Sequence, residues 1–154
     1  MPHYKADERT FQLLTQVSGR SGRRGREGRT IIQTYWPESR SIISAQNHDY
    51  SSFYHDEINE RQKYNNPPFS HLVRVIAENS KAEKAKEEIG QIAKAAELEG
   101  VDYIGPAKAF LSKIRSNYRY HIILKASSLP DERISRIFKV NPYLFWDVDP
   151  ENLL

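Results

Sequence analysis

Two adjacent segments decide the fold: His71-Leu-Val-Arg-Val-Ile-Ala77 and Ser80-Lys-Ala-Glu-Lys-Ala-Lys-Glu-Glu-Ile-Gly-Gln-Ile-Ala-Lys-Ala-Ala-Glu-Leu98. The first alternates and is rich in β-branched residues, which predicts a strand. The second predicts a helix that opens with a capping box of Ser80 and Glu83 and stops at Gly100. Its apolar side chains recur at helical spacing: Ala82, Ala85, Ile89, Ile92 and Ala96.

The residues after this helix predict a complete small domain. Strands are expected at 101–104, ended by Gly105-Pro106, at 118–125 and at 143–148, with a second helix that opens between Ser128 and Asp131. In the last strand, Leu144, Trp146 and Val148 are expected to face the core. The order βαββαβ predicts an α+β, ferredoxin-like split-βαβ sandwich.

The residues before it have a different pattern. A helix is predicted at 8–18, ended by Gly19, then a short buried strand at 30–35 and helices at 38–47 and 51–63. The breaker Asn65-Asn-Pro-Pro68 separates the two patterns. We therefore predict one domain at 1–66 and a second at 67–154.

Composition excludes several classes of protein. There is no cysteine, which excludes a disulfide scaffold and a thiolate zinc site. No apolar run approaches the ~18 residues that span a bilayer, and the polar N-terminus is unlike a signal peptide. A soluble, cytoplasmic protein without a membrane partner is expected. The histidines show no metal-binding spacing, His121 is expected at the surface, and Asp147 and Asp149 are expected to be structural.

Positive charge is clustered in two places. Residues 1–40 carry eight Lys/Arg against four Asp/Glu, and residues 108–125 carry five basic residues and no acid. Clusters of this kind are typical of nucleic-acid contact. The second cluster consists of Lys108, Lys113, Arg115, Arg119 and Lys125.

The first cluster contains the motif Gln16-Val-Ser-Gly-Arg-Ser-Gly-Arg23. Planar guanidinium groups stabilise the charge that spreads over a transferring phosphoryl group, so Arg20 and Arg23 are candidates for contact with a triphosphate. The alternative is a glycine- and arginine-rich loop that contacts nucleic-acid backbone, in which Arg24, Arg26 and Arg29 take part. The chain has no G-x-x-x-x-G-K-[ST] loop, so no ATPase activity is expected from it alone.

A family resemblance covers nearly the whole chain. It is carried by the motif at 16–23 and by Pro67-Pro-Phe69, Gly105-Pro106, Tyr118-Arg119 and Asp147-Val-Asp-Pro150. These residues resemble the C-terminal part of the bacterial primosomal replication-restart helicases, which belong to superfamily 2. The resemblance implies the tail of a second RecA-like lobe followed by a ferredoxin-like C-terminal domain.

The resemblance also implies roles for particular residues. Arg20 and Arg23 become arginine fingers of an ATP-dependent 3'-5' DNA helicase, and Gln16, Gly19 and Gly22 contribute to the nucleotide site. ATP with magnesium, and zinc, are expected only in the parent enzyme, with no cofactor in this fragment. The implied partners are forked or single-stranded DNA, other primosome proteins, and the acidic, hydrophobic tail of single-stranded-DNA-binding protein. For the tail carboxylate the candidates are Arg133 and Arg136.

The predicted DNA-binding residues include both basic clusters. On the strand at 118–125, Arg119, His121, Ile123 and Lys125 share one face, and a face with basic and aromatic side chains is typical of nucleic-acid contact. The alternative is that this face is a solvated edge and the other is core. A stand-alone ferredoxin-like module for nucleic-acid binding or protein docking, with no NTPase role, is the competing function. The full set is Arg24, Arg26, Lys108, Lys113, Arg115, Arg119 and Lys125.

Overall fold

The chain forms two compact units, one ending at Tyr64 and the other beginning at Asn65. A computed structural model describes residues 4–21 and 29–151. No helix in these two stretches is long and apolar enough to cross a membrane. Each unit has its own core.

The first unit is helical. Its helices are α1 (Ala6–Ser21), α2 (Arg40–Gln46) and α3 (Tyr50–Lys63). Phe11, Ala45 and Phe53 form its buried core, and the rings of Phe11 and Phe53 stack with centroids 4.4 Å apart. Asp49 begins α3 by accepting a hydrogen bond from the Ser52 amide at 3.0 Å, the usual way that a short polar side chain satisfies a free helical N–H.

Two predictions for this unit are wrong. Helix α1 does not end at Gly19 but continues to Ser21, since the Gly19 backbone has no left-handed conformation that would terminate it. Residues 30–35 form no strand, and Ile31 and Tyr35 are 93% and 95% exposed. A strand needs a neighbour for its backbone N–H and C=O groups, and within the described part of this unit no strand is present to provide one.

The second unit is an α+β sandwich with the predicted order βαββαβ. All strands pair antiparallel in the order β2-β3-β1-β4, which is the split-βαβ arrangement. The elements are β1 (His71–Asn79), α4 (Ala82–Leu98), β2 (Tyr103–Ile114), β3 (Asn117–Ala126), α5 (Glu132–Val140) and β4 (Phe145–Val148).

One face of the sheet packs against both helices and forms the core. Side chains that are fully buried there include Val75 from β1, Ile122 from β3, Ile89 from α4 and Ile137 from α5. The predicted apolar stripe of α4 is confirmed by the burial of Ala85, Ile89, Ile92 and Ala96.

The end of β4 is only partly buried. Leu144 and Trp146 pack against the core as predicted. Val148 is exposed, so its predicted burial is wrong. It is the last residue of a four-residue edge strand that pairs with β1 alone.

The predicted start of α4 and end of β2 are also wrong. The N-cap of α4 is Lys81, without a side-chain cap, and Asn79 Oδ1 instead accepts the Lys81 amide at 3.1 Å. Strand β2 continues past Gly105-Pro106 because Gly105, at φ 107°, allows a one-residue bulge between the pairs Ile104↔Ile123 and Ala107↔His121. A side chain at Gly105 would approach the His121 carbonyl oxygen to 3.1 Å.

Candidate nucleic-acid interface and motif helix

The described part of the arginine motif lies on the last two turns of α1. Gln16 and Arg20 are four residues apart, so they share one helix face, and both are exposed together with Gly19. Arg20 is the basic residue of the last turn, where positive charge suits the helix dipole. Predictions for Gly22, Arg23, Arg24 and Arg26 lie outside the described residues.

A network of ion pairs fixes α1 against the other two helices. Glu57 of α3 is 7% exposed and contacts the guanidinium groups of Arg40 at 2.8 Å and Arg61 at 2.9 Å. These arginines in turn bind the first turn of α1: Arg40 contacts Asp7 at 3.1 Å and Arg61 contacts Glu8 at 2.7 Å. The network therefore sets the position of the helix that carries Gln16 and Arg20.

This network was not predicted from the sequence. Asp7 and Glu8 lie in the first turn of α1, where acidic side chains are favourable on any helix. The available signal was the Glu57–Arg61 spacing of i,i+4, which is favourable on any helix. That the network joins three helices can be seen only when their packing is known.

Three of the predicted DNA-binding residues lie exposed along the β2–β3 hairpin. We call Lys108, Lys113 and Arg115 the basic arm; all three are exposed. Lys113 Nζ lies 4.9 Å from the centre of the Tyr118 ring, a cation–π contact that leaves the charge accessible. Arg115 is at the hairpin turn, where it and Ser116 have φ of 45° and 71°, as a two-residue type I′ turn requires.

The other two predicted residues of this cluster, Arg119 and Lys125, lie on the neighbouring strand β3 and are half-buried. Arg119 Nε lies 3.4 Å from Glu78 Oε2. Lys125 Nζ donates a hydrogen bond to Asn66 Oδ1 at 3.1 Å, and burial lowers the pKa of Lys125. The five basic residues therefore do not form one surface.

His121 is buried between these two residues on the same strand, so its predicted surface position is wrong. Burial first, and then the neighbouring charge of Arg74, lower the pKa of His121, so the neutral form is favoured. Leu72, Ile76 and Ile123 are buried on this sheet face as well. This face is therefore not the solvated edge considered as the alternative.

A cavity lies beside Arg119. Its volume is about 290 Å³, and it is lined by Ile76, Glu78, Arg119, Tyr143, Leu144 and Phe145. Arg119 Nε is buried and makes no hydrogen bond within the described residues, its ion-pair contact with Glu78 Oε2 being 3.4 Å long, while the Tyr143 and Phe145 side chains are exposed. The cavity thus combines an incompletely satisfied guanidinium group with aromatic and aliphatic walls.

The two arginines predicted to bind a partner tail have partners within the chain. Arg133 contacts Asp131 at 2.7 Å, and Arg136 contacts Glu99 at 2.7 Å. Hydrogen bonds from these arginines hold the pKa values of Asp131 and Glu99 below the ordinary carboxyl value. Binding of a second carboxylate would compete with these pairs, and the predicted role stays a prediction.

The paired aspartates at the chain's last strand have structural contacts. Asp147 accepts from Arg74 at 2.8 Å. Asp149 accepts from the Leu72 amide at 3.0 Å and lies 2.7 Å from His71 Nδ1. Across residues 4–21 and 29–151, no group of three His, Cys, Asp or Glu side chains is arranged to hold a metal ion.

The second unit also matches a known protein family. The family described as primosomal protein N C-terminal domain matches residues 62–151. The chain belongs to this family. The resemblance predicted from the sequence is thereby confirmed.

Curated relatives extend the similarity to the first unit. The replication restart protein PriA of Synechocystis sp. is 37% identical over 96% of this chain, and that of Treponema pallidum is 34% identical over 99%. The Bacillus subtilis protein of the same name is 38% identical over 81% of the chain. The chain spans only 16–25% of the length of these relatives.

Proposed function

We propose that this chain is the C-terminal part of a replication-restart DNA helicase and that its second unit binds forked or single-stranded DNA through the basic arm. The observation that carries the proposal is the exposure of Lys108, Lys113 and Arg115 along one hairpin. Family membership supports the role in replication restart, since the relatives are named replication restart proteins.

The electrostatics of the hairpin favour a phosphate backbone. Residues 108–125 contain no carboxylate. The nearby carboxylate of Glu78, on β1, is already engaged by Asn117 and Arg119. Cations spaced along an extended arm displace the counterions of successive DNA phosphates. The release of these counterions makes binding strong at low salt.

The proposal predicts a specific change in salt dependence. Replacing Lys108, Lys113 and Arg115 together with alanine is expected to reduce the slope of log K against log salt by about 2 for single-stranded DNA, since each phosphate contact contributes ~0.7. The measurement is fluorescence anisotropy with single-stranded, forked and duplex oligonucleotides across a salt series.

The matched control replaces Lys84, Lys86 and Lys94, which are exposed on α4. It changes the net charge equally and is expected to leave the slope nearly unchanged. Equal effects of the two triple variants would show that only net charge matters and would contradict an interface at the basic arm. Absence of DNA binding at low salt would refute DNA contact by this chain.

A second binding function is favoured by the cavity beside Arg119. An acidic, hydrophobic tail, such as the resemblance implies for single-stranded-DNA-binding protein, needs a guanidinium or ammonium group for its terminal carboxylate next to an apolar pocket. The Arg119 cavity provides both, with Ile76 and Phe145 on its walls. Arg133 and Arg136 would first have to release Asp131 and Glu99, each held at 2.7 Å, whereas Arg119 has a longer contact of 3.4 Å with Glu78, a carboxylate that also lines the cavity. We therefore propose the Arg119 cavity as the tail site in preference to α5.

Loss of the Arg119 guanidinium is expected to weaken tail-peptide binding by ~10–100-fold, the size of a hydrogen bond to a charged group. The measurement is anisotropy with a fluorescent acidic peptide that ends in phenylalanine, using Arg119→Ala, Arg133→Ala and Arg136→Ala. A peptide with an amidated C-terminus completes a double-mutant cycle with Arg119→Ala. Amidation should weaken binding to the unmodified chain but not to Arg119→Ala. Weakening by the α5 variants alone would place the site on α5 instead.

For the first unit, we propose that α1 is part of the second RecA-like lobe of the parent enzyme. The support is the exposed face that carries Gln16 and Arg20, together with the similarity of relatives across nearly the whole chain. In this assignment the ATP and its magnesium ion are held mainly by another lobe. Arg20 and Arg23 then approach the γ-phosphate as it is transferred.

A further inference from the structure

Strand β2 contains a second, larger bulge. Lys108 pairs with Tyr120 and Lys113 pairs with Tyr118, so the four residues 109–112 lie opposite Arg119 alone. Ala109 is 7% exposed and anchors the segment, whereas Phe110 and Leu111 are 72% and 58% exposed. The bulge therefore holds two apolar side chains in solvent at a fixed place on the hairpin.

Protection of the sheet edge does not account for these two side chains. β2 is an edge strand, and a bulge alone interrupts the row of unpaired backbone groups that would attract another strand. Charged side chains at Phe110 and Leu111 would add to that protection, while exposed apolar ones oppose it. Bulges are over-represented next to functional sites, and two adjacent exposed apolar side chains on this one are available for contact with a ligand.

The charges around the bulge identify the class of ligand. Lys108 and Lys113 flank it directly, and Arg115 follows at the turn. Two exposed apolar side chains flanked by cations suit a ligand that combines flat apolar rings with regularly spaced anions. Unpaired nucleotides have this composition, because every base has a π-face and every linkage carries a phosphate.

We propose that Phe110, with Leu111 beside it, stacks on an exposed base of single-stranded DNA while the basic arm holds the adjoining phosphates. This inference rests on the proposed DNA-binding function and adds a base-contacting site to it. In a continuous duplex each base is covered on both faces by its neighbours. The Phe110 site therefore favours single strands and the unpaired positions of a fork over plain duplex.

The test separates base stacking from phosphate binding. Phe110→Ala is expected to weaken binding to an oligo-dT strand by ~5–150-fold, the range measured for base–aromatic stacking. An abasic strand of equal length keeps the phosphates but lacks the bases. The unmodified chain should bind this abasic strand more weakly than oligo-dT by a similar factor. Phe110→Ala should bind the abasic strand and oligo-dT equally well.

Two further variants are controls. Phe110→Trp keeps a stacking ring and should bind oligo-dT at least as well as the unmodified chain. Leu98→Ala removes another exposed apolar side chain, at the end of α4, and should have no effect. If Phe110→Ala binds both strands like the unmodified chain, or weakens both equally, the stacking site is refuted while DNA binding stands. If no strand binds the unmodified chain, the proposed DNA-binding function fails as well.

Discussion

In the ATP-dependent helicase that we propose contains this chain, an Arg20→Ala variant is expected to hydrolyse ATP ~10³-fold more slowly or worse, as in enzymes that lose an arginine finger. The side chain is exposed at the end of α1, where it is available to a neighbouring lobe. Its guanidinium group would stabilise charge that develops only during phosphoryl transfer, so kcat should fall more than KM rises. The measurement is DNA-stimulated ATP turnover under saturating DNA.

Two variants make this result interpretable. Arg20→Lys keeps the charge but loses the planar fork, and it should stay strongly impaired. Arg29→Ala removes a nearby exposed arginine that is expected to have no catalytic role, and it should keep most of the activity. An Arg20→Ala enzyme with near-normal kcat would show that the motif contacts nucleic-acid backbone or solvent instead.

Glu57→Gln is expected to destabilise the three-helix unit by about 3 kcal/mol, at the lower end of the range for removing one partner of a buried ion pair. The variant removes the Glu57 carboxylate, which contacts both Arg40 and Arg61. Arg40 retains Asp7 and Arg61 retains Glu8, which limits the loss. Hydrogen exchange of the α1 and α3 amides is the measurement, with an expected loss of protection of ~100-fold.

Glu60→Gln is the matched control for the Glu57 prediction. Glu60 lies on the same helix and also contacts Arg40, but its side chain is about half exposed. Pairs of this kind contribute at most ~1 kcal/mol. Equal losses for the two variants would mean that burial of Glu57 is not what makes the network stabilising.

The second unit was largely predictable because its sequence signals agree with its packing. The β-branched, mostly apolar β1 and the apolar stripe of α4 have no competing interpretation, and Gly100 marks the helix end with φ at 62°. The errors occur where a local signal competes with a neighbour. Asn79 accepts the Lys81 amide just before α4, where a Ser80 cap was expected, and Gly105-Pro106 bends β2 where a strand end was expected.

The first unit was less predictable for a related reason. The β-branched residues at 30–35 favour a strand, but a strand forms only when another strand satisfies its backbone. The sequence reports the preference of the segment and not the presence of that neighbour. The relatives that match this region are about four to five times as long as the chain, so such a protein has other segments from which a neighbouring strand can come.

Residue types were easier to predict than their surroundings at the candidate sites. The sequence identified five basic residues at 108–125, but their alternation along β3 places Arg119 and Lys125 in half-buried positions. The cavity beside Arg119 joins residues of β1, β3 and the approach to β4, so no local pattern reports it. The bulge at 109–112 depends on register, which the apolar pattern of β2 is too irregular to specify.

The central place of β1 has a consequence for how the sheet assembles. β1 comes first along the chain, yet its two partners are β3 at 117–126 and β4 at 145–148. Pairings between segments so distant in sequence form late and slowly, because the intervening chain must lose its freedom before any contact compensates. The β2–β3 hairpin, in contrast, closes through a two-residue turn. During synthesis, β1 therefore leaves the ribosome before the strands that pair with its backbone. Until β4 has been made, one edge of this nine-residue, mostly apolar strand is unpaired and available to other chains.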